Sequence, residues 1–343
     1  MTPPTIPTRR AVLGLLSAAA LAAAPGRPGV AASLEASSGA SSGASSEASS
    51  GASSAVSVGD CTVPERGHVD LTVARGLIMV PLEVNDQLAS FILDTGATRS
   101  VVTEAAARRL ALARDPWVGT TMSGIGGFNA RPNANPRSLR LGGVTLVRRT
   151  VNHDTSLTVA DFPSSESSGV PIDGLLGRDY LSLFDLDIDV PRRRLTLYQP
   201  LGCSGRFLPW TGPYVSVPVT QPVDTAMLVP VELDGVTLRG LLDTGANVSL
   251  IAAPGLHRLG LDPAEAEPGT HVPVTGVGPN TTPMAHRTFR TMRIGNVVID
   301  HPTMLIAPIH LIPIADMLLG ANWILSRRVW ISYATRQVFV AAA

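Results

Sequence analysis

The sequence has few cysteines and few aromatic residues, and neither sign of charge is in surplus. Its 343 residues include two cysteines, 4% aromatic residues, and 27 acidic against 27 basic side chains. A formal net charge of zero gives no electrostatic footprint for nucleic acid, so we expect no nucleic-acid partner. The seven histidines are scattered, none pairs with another at a one-turn helical spacing, and the two cysteines form no zinc motif. The sequence therefore predicts neither a metal site nor a cofactor.

Long apolar runs are also missing. The apolar stretch that follows the pair Arg9 and Arg10 ends at Ala24, which is short of the roughly 20 residues that a membrane-spanning helix needs. This layout resembles a twin-arginine export signal, with cleavage after Ala32 and a second candidate site ending at Ala24. We therefore expect residues 1–32 to be an export signal, the protein to be periplasmic or secreted, and no stable membrane span. A fortuitously apolar N-terminus is the alternative.

The next segment has almost no side chains that could build a core. Residues 33–57 are nearly all Ser, Gly and Ala, which predicts a flexible tether over residues 33–65. Cys61 lies near the end of this tether, and Cys203 lies between the two halves of the remaining chain. In an exported protein this pair could form a disulfide, and two free thiols are the alternative.

What the sequence does contain is a repeat. The residues Leu-Asp-Thr-Gly-Ala occupy positions 93–97 and return unchanged at positions 242–246, 149 residues further along. An apolar, strand-like run precedes each copy, and a β-prone segment follows it. A buried strand that ends in an acid, a hydroxyl and a glycine is costly to build, so its duplication indicates that the two acids are meant to meet.

Further elements recur around the repeat in the same order, which makes the duplication secure. The first half reads as a strand over 79–84, the repeat, a helix over 103–112, a glycine-rich hairpin tip over 123–127, a hairpin over 139–144, the segment 173–177 and a closing strand over 195–198. The second half reads in parallel over 228–233, the repeat, 253–261, 275–278, 292–297, 316–320 and 337–340. We therefore predict an all-β fold with short helices, a domain over 66–200, a linker over 201–213 and a second domain over 214–343.

An apolar strand leading into Asp-Thr-Gly, followed by a glycine-rich hairpin and then by two apolar residues and Gly, resembles the aspartic protease superfamily. The alanine after Asp-Thr-Gly and a hairpin in both halves are more similar to the retropepsin branch. Nearly everything after the tether resembles a tandem, fused retropepsin-like protease of bacterial type. The resemblance implies two retropepsin-like acid-protease β-barrel domains fused as a pseudo-twofold pair. It also implies that Asp94 and Asp243 are the catalytic pair. Thr95, Gly96, Thr244 and Gly245 are then expected to support the catalytic loops.

The chemistry of peptide hydrolysis gives a reason for two acids. Two carboxylates in contact cannot both ionise cheaply, so they share a proton, and one acts as base while the other acts as acid. Alanine at positions 97 and 246 cannot donate a side-chain hydrogen bond to an ionised carboxylate, unlike serine or threonine. We therefore expect activity at mildly acidic to near-neutral pH. Asp173 and Asp316 also recur, and for them we expect turn or loop hydrogen bonds.

The two glycine-rich tips are candidate flaps that close over an extended peptide and exclude water. The residues expected to form these flaps and contact substrate are Gly124, Ile125, Gly126 and Gly127 in the first half and Gly276, Val277 and Gly278 in the second. Two ordinary hairpins with glycine turns are the alternative.

The leading hypothesis is an exported aspartic endopeptidase that acts on peptide or protein substrates as a monomer, with its active site formed within one chain. The alternative of a different class is a non-catalytic peptide-binding or scaffold protein with the same fold. Pairing of two chains through like halves is a further possibility that the duplication makes unnecessary.

Overall fold

The structure, a computed structural model, describes Arg10–Leu15, Leu21–Ala22 and residues 61–125, 127–146, 156–160, 171–219, 226–262, 271–275, 280–311 and 315–342. Among these residues strands predominate and helices are few and short, so the predicted all-β class is confirmed. The helices are α1 (Glu104–Arg109), α2 (Arg178–Leu181), α3 (Ala253–Leu259) and a 3-10 helix over Ala321–Trp323.

The strands are numbered in chain order. Those before the linker are β1 (Arg10–Leu15), β2 (Leu21–Ala22), β3 (Glu65–Asp70), β4 (Thr72–Ala74), β5 (Leu77–Val84), β6 (Gln87–Leu93), β7 (Val101–Val102), β8 (Ala113–Gly124), β9 (Gly127–Asn135), β10 (Leu139–Leu141), β11 (Val144–Thr145), β12 (Thr158–Val159), β13 (Gly174–Leu176), β14 (Asp185–Asp189) and β15 (Arg194–Tyr198). Those after it are β16 (Tyr214–Pro218), β17 (Leu228–Leu233), β18 (Val236–Asp243), β19 (Leu250–Ile251), β20 (His271–Thr275), β21 (Thr281–Thr288), β22 (Thr291–Ile294), β23 (Val297–Asp300), β24 (Thr303–Ile306), β25 (Met317–Gly320), β26 (Arg328–Ser332) and β27 (Gln337–Ala341).

Each half of the chain builds a sheet with the same strand order. The first sheet runs β11-β10-β5-β6-β13-β7-β12, and the second contains the matching run β23-β22-β17-β18-β25-β19-β24. In both, the acid-bearing strand pairs antiparallel with the strand before it and parallel with a strand from later in its half. The recurrence predicted from sequence is therefore a recurrence of topology, and it gives the two halves a pseudo-twofold relationship.

A third sheet joins the halves. Its order is β16-β27-β26-β14-β15-β3, so β14 of the first half pairs antiparallel with β26 of the second, with Leu186 opposite Ile331. Both residues are fully buried in one apolar cluster that also includes Leu82 and Val231 from the two acid-bearing sheets. The closing strands of the two halves, β15 and β27, therefore belong to one shared sheet. The sequence predicts these strands but not their common sheet.

The helices predicted after the two repeated acids are present but shorter than expected. The first was expected over 103–112 and spans Glu104–Arg109, because Thr103 is its N-cap and accepts a hydrogen bond from the N–H of Ala106 at 3.0 Å. The second was expected over 253–261 and ends at Leu259, followed by Gly260 in the left-handed conformation that commonly ends helices.

Cys61 and Cys203 form a disulfide that closes a loop with a sequence separation of 142 residues. Beside it, Thr62 and Leu201 exchange two backbone hydrogen bonds of 2.9 and 3.0 Å. The bridge therefore ties the start of the first half to the segment between the halves. No helix in the described part of the chain has the length and apolar character to cross a membrane.

Candidate active site

The two repeated acids lie at the ends of equivalent strands. Asp94 follows β6 directly, and its N–H donates to the carbonyl of Leu176 in β13 at 3.0 Å. Asp243 is the last residue of β18 and lies in register with Gly320 of β25. Both carboxyl side chains are fully buried. The parallel neighbouring strand thus fixes the position of each acid in its own half.

The glycines of the repeat allow the two acids to approach each other. A Cβ atom at Gly96 would lie 2.3 Å from Cγ of Asp243, and one at Gly245 would lie 2.3 Å from Cγ of Asp94. Both distances are far below van der Waals contact, so each loop passes against the carboxyl of the other half at a separation that only glycine permits. The two acids 149 residues apart in sequence therefore meet at the pseudo-twofold axis.

One oxygen of each carboxyl is held by its own loop. Oδ1 of Asp94 accepts the N–H groups of Gly96 at 3.0 Å and Ala97 at 2.8 Å. Oδ1 of Asp243 accepts the two equivalent N–H groups at 3.0 and 3.2 Å. Both Oδ2 atoms are buried and, apart from the interaction between the two carboxyls, receive no hydrogen bond from the described residues. The Oδ2 atoms are thus the ones open to a shared proton or a reacting molecule.

The threonines of the repeat lock the two loops together. The N–H of Thr95 donates to Oγ1 of Thr244 at 3.1 Å, and the N–H of Thr244 donates to Oγ1 of Thr95 at the same distance. Each hydroxyl in turn donates across the axis, from Thr95 to the carbonyl of Leu242 at 2.8 Å and from Thr244 to that of Leu93 at 2.5 Å. Four buried hydrogen bonds therefore fix the distance between the loops.

Burial determines the protonation of the pair. It raises the pKa of Asp94 to about 6, while the N–H donors of its loop, the Asp243 side chain and the positive charge of Arg178 lower that pKa. Burial also raises the pKa of Asp243 well above its usual range, and the charge of Asp94 raises it further. The two carboxyls therefore share one proton near neutral pH.

The first candidate flap is the hairpin of β8 and β9. Gly124 and Gly127 are paired at its tip, and Ile125 packs against a buried apolar cluster of the second half. The carbonyl of Ile125 accepts a hydrogen bond from the Thr282 hydroxyl at 3.1 Å, and a Cβ at Gly127 would lie 3.0 Å from Nδ2 of Asn280. The first hairpin therefore contacts β21 and its N-terminal neighbour.

The second candidate flap is the hairpin of β20 and β21, where Thr275 pairs with Thr281. The predicted tip residues Gly276, Val277 and Gly278 lie outside the described residues, as does Gly126 of the first flap. The two hairpins occupy corresponding places along the chain: in each half the hairpin follows the acid-bearing loop and precedes the closing strand.

An N-terminal segment adds a strand to both hairpins. Strand β1 pairs parallel with β8, and β2 pairs antiparallel with β20. The two strands therefore run parallel to the first strand of one hairpin and antiparallel to the first strand of the other. The sequence assigns these residues to an export signal and predicts no strand here. An apolar signal and a strand have similar compositions, so composition alone does not distinguish them.

Asp173 and Asp316 do more than the turn or loop bonding expected of them. Oδ2 of Asp173 accepts the N–H of Ser90 in β6 at 2.9 Å, and Oδ2 of Asp316 accepts the N–H of Arg239 in β18 at 2.9 Å. Each also forms an arginine ion pair, Asp173 with Arg109 and Asp316 with Arg239, both at 2.8 Å. They hold the acid-bearing strands in place, and within the described part of the chain neither forms a hydrogen bond with Asp94 or Asp243.

Sequence reasoning missed a polar layer beneath the loops. Oγ of Ser100 accepts the N–H of Gly177 at 2.8 Å and donates to Asp179 at 2.7 Å. In the second half, the hydroxyl of Ser249 accepts the N–H of Gly320 at 3.1 Å and donates to Asn322 at 2.9 Å. The serines lie six residues after each acid, and this shared spacing was the signal available in the sequence.

The comparisons with known proteins agree with this geometry. The sequence profile of a family described as Aspartyl protease matches the chain twice, over residues 80–180 and 229–323, which together exceed half of the chain. Each match lies within one half of the chain and contains one repeated acid. Among curated proteins, no relative matched the chain. Within the described residues no three His, Cys, Asp or Glu side chains cluster in a way that could hold a metal ion.

Proposed function

Because this chain belongs to the aspartyl protease family, as a tandem retropepsin-like member, we propose that it is an aspartic endopeptidase whose catalytic pair is Asp94 and Asp243. The observation that carries the proposal is the contact of these two buried carboxyls across a pseudo-twofold axis. Burying two acids in contact lowers the stability of the fold, but it makes the two carboxyls share one proton, which the proposed reaction uses.

The proposed reaction uses both protonation states of the pair. The ionised carboxyl accepts a proton from a water molecule whose oxygen attacks the peptide carbonyl carbon, while the protonated carboxyl donates its proton to the carbonyl oxygen. The resulting tetrahedral diol then collapses: the carboxyl that took the proton from water donates it to the nitrogen, the C–N bond breaks, and one diol hydroxyl gives its proton to the other carboxylate, which restores the pair. The Oδ1 bonds to loop N–H groups keep both carboxyls in place throughout.

The proposed substrate is a peptide or protein segment in extended conformation. Support comes from β1 and β2, which pair as strands with the edges of the two hairpins, as an extended peptide would. Each half also places a buried apolar cluster around its alanine of the repeat, with Met79 and Ile92 in one and Leu228 and Leu241 in the other. We therefore propose apolar side chains next to the scissile bond.

The site needs only one copy of the chain, since each half supplies one acid and one threonine. We propose that the protein acts as a monomer. Size measurement by light scattering, together with activity that is independent of protein concentration, tests this. Activity that appears only with dimer formation would overturn it.

Peptide-library cleavage tests the activity. The full chain and a chain that begins after Ala32 are incubated with the library, with and without a peptide inhibitor that carries a hydroxyl at the scissile position. The proposal expects inhibitor-sensitive cleavage between apolar residues, stronger in the shorter chain because β1 and β2 no longer pair with the hairpins. Peptide binding without cleavage by either chain would instead favour a non-catalytic binding or scaffold protein.

We also propose export by the twin-arginine route, based on Arg9 and Arg10 and the apolar stretch that follows them. Cell fractionation of the native chain and of a double variant, Arg9→Lys with Arg10→Lys, tests this. Loss of export in the variant is expected, and unchanged export would contradict the twin-arginine route.

A further inference from the structure

The two catalytic loops are nearly symmetric, but the elements behind them are not. Arg178 and Ala321 are equivalent, since each follows the glycine of its half and each donates its N–H to the alanine carbonyl of the repeat, at 2.9 Å to Ala97 and 2.6 Å to Ala246. At this matched place the first half has a guanidinium and the second has a methyl group.

Arg178 points its charge at the loop of Asp94. Its side chain is only 2% exposed, and Nη2 lies 3.5 Å from the carbonyl oxygen of Gly96. Gly96 is the residue whose N–H donates to Oδ1 of Asp94. A cation held in the interior acts on a neighbouring carboxylate with little screening by solvent. Ala321 gives Asp243 no such charge.

The other charges around the loops preserve this difference. Behind Asp94, the side chains of Arg99, Arg178 and Asp179 together carry one net positive charge, and Nε of Arg99 lies 3.8 Å from Oδ2 of Asp179. The residues equivalent to Arg99 and Asp179 in the second half are Val248 and Asn322, both uncharged.

Two further titratable groups face the same region from the shared sheet. Burial raises the pKa of the Tyr333 phenol, which stays neutral, and also raises the pKa of Asp185. Asp185 accepts hydrogen bonds from the indole of Trp330 and the N–H of Ala334, each at 3.1 Å. Neither group adds positive charge on the side of Asp243.

We propose that Arg178 is a positioning residue that breaks the symmetry of the pair by stabilising negative charge on Asp94. Under the proposed function, on which the roles rest, Asp94 is the base that activates water and Asp243 is the acid that protonates the carbonyl oxygen. The shorter N–H contacts to Asp94 act in the same direction, and so does the lowering of the Asp94 pKa by Arg178.

Carboxyl NMR of inactive variants tests the proposal without relying on catalysis. In Asp243→Asn the only acid left in the pair is Asp94, and in Asp94→Asn it is Asp243. Each is titrated with ¹³C-labelled aspartate, and its signal is assigned by difference from the double variant. Adding Arg178→Gln is expected to raise the pKa of Asp94 by roughly one unit and that of Asp243 by less than half as much. Equal shifts at both acids, or none at Asp94, would overturn the proposal.

Two variants separate charge from packing. Arg178→Lys keeps the charge, so the pKa of Asp94 is expected to stay close to its value with Arg178. Arg290→Gln removes a cation that is 82% exposed and is expected to leave the pKa of both acids unchanged. If Arg178→Lys raises the pKa of Asp94 as much as Arg178→Gln does, with an unchanged melting temperature, the result would count against a charge effect.

Activity gives a second readout. With Arg178→Gln, the acid limb of the kcat/KM profile is expected to move to higher pH, because Asp94, the base, then ionises only at higher pH. With Arg178→Lys it is expected to stay in place. If no variant or native chain cleaves any peptide, the proposed function fails while the NMR titration still decides the role of Arg178.

Discussion

Thr95 and Thr244 exchange hydrogen bonds across the pseudo-twofold axis, each accepting the backbone N–H of the other at 3.1 Å. Thr95→Val keeps the side-chain shape but removes one acceptor and one donor, leaving the N–H of Thr244 and the carbonyl of Leu242 unpaired in a buried site. We expect the free energy of unfolding to fall by about 2–5 kcal/mol, measured by chemical denaturation.

Two controls accompany this substitution. Thr95→Ser keeps the hydroxyl and should retain most of the stability, while Thr237→Val changes an exposed threonine on β18 and should cost little. A Thr95→Val chain as stable as the native one would show that the hydrogen bonds between the two threonine loops do not contribute to the free energy of unfolding.

Gly96→Ala tests the close approach of the loops. Its Cβ would lie 2.3 Å from Cγ of Asp243, so the loops must separate or the carboxyl must move. We expect loss of peptide cleavage and destabilisation by about 3 kcal/mol or more, seen as a lower melting temperature and denaturation midpoint.

Gly235→Ala is the matched control, because a Cβ there meets no atom within 4 Å and only its φ of +87° is unfavourable. This change should cost about 1–2 kcal/mol and leave cleavage unchanged. Equal effects of the two substitutions would argue against the steric account.

The pH dependence of cleavage follows from the raised pKa values. The base must be ionised, so kcat/KM should rise through the Asp94 pKa of about 6 as pH increases. The acid must stay protonated, so activity should fall only when pH approaches the raised pKa of Asp243. We therefore expect a maximum near neutral pH.

Ala97→Ser with Ala246→Ser supplies the hydroxyl donors that the repeat lacks. Hydrogen bonds to the ionised carboxyl lower its pKa, so the acid limb should move to lower pH. A native profile that peaks at about pH 2–3 would contradict the account of the dyad.

The disulfide gives a prediction about stability. Cys61 and Cys203 close a loop with a separation of 142 residues, which in the chain-entropy model stabilises the folded protein by about 5 kcal/mol. Reduction should lower the denaturation midpoint of the native chain but not that of the Cys61→Ser, Cys203→Ser double variant. A native midpoint that reductant leaves unchanged would show that the bridge does not contribute.

The site was predictable from sequence where the signal was local and repeated. The Asp-Thr-Gly segments, the apolar strands before them and the short helices after them each follow from patterns within a few residues. Duplication then supplied what a single copy lacks, since two equivalent strand ends related by a twofold axis place Asp94 and Asp243 together. The predicted family and fold class are confirmed by the double profile match and by the matching sheet orders.

What the sequence missed depends on partners distant in the chain. The alternating apolar residues of β14 and β26 indicate strands, but nothing local shows that they pair with each other. Arg178 occurs in one half only, so a search for shared residues passes over it, although its importance comes from that asymmetry. The predicted domain boundaries and export route remain predictions.

Single substitutions of the two acids test the central claim most directly. Asp94→Asn and Asp243→Asn should each reduce kcat/KM by roughly a thousand-fold or more, because each removes one member of the proton-sharing pair. Both variants should keep a cooperative unfolding transition, since Asn has nearly the same shape as Asp. Native-like cleavage by either folded variant would contradict an aspartic dyad formed by Asp94 and Asp243.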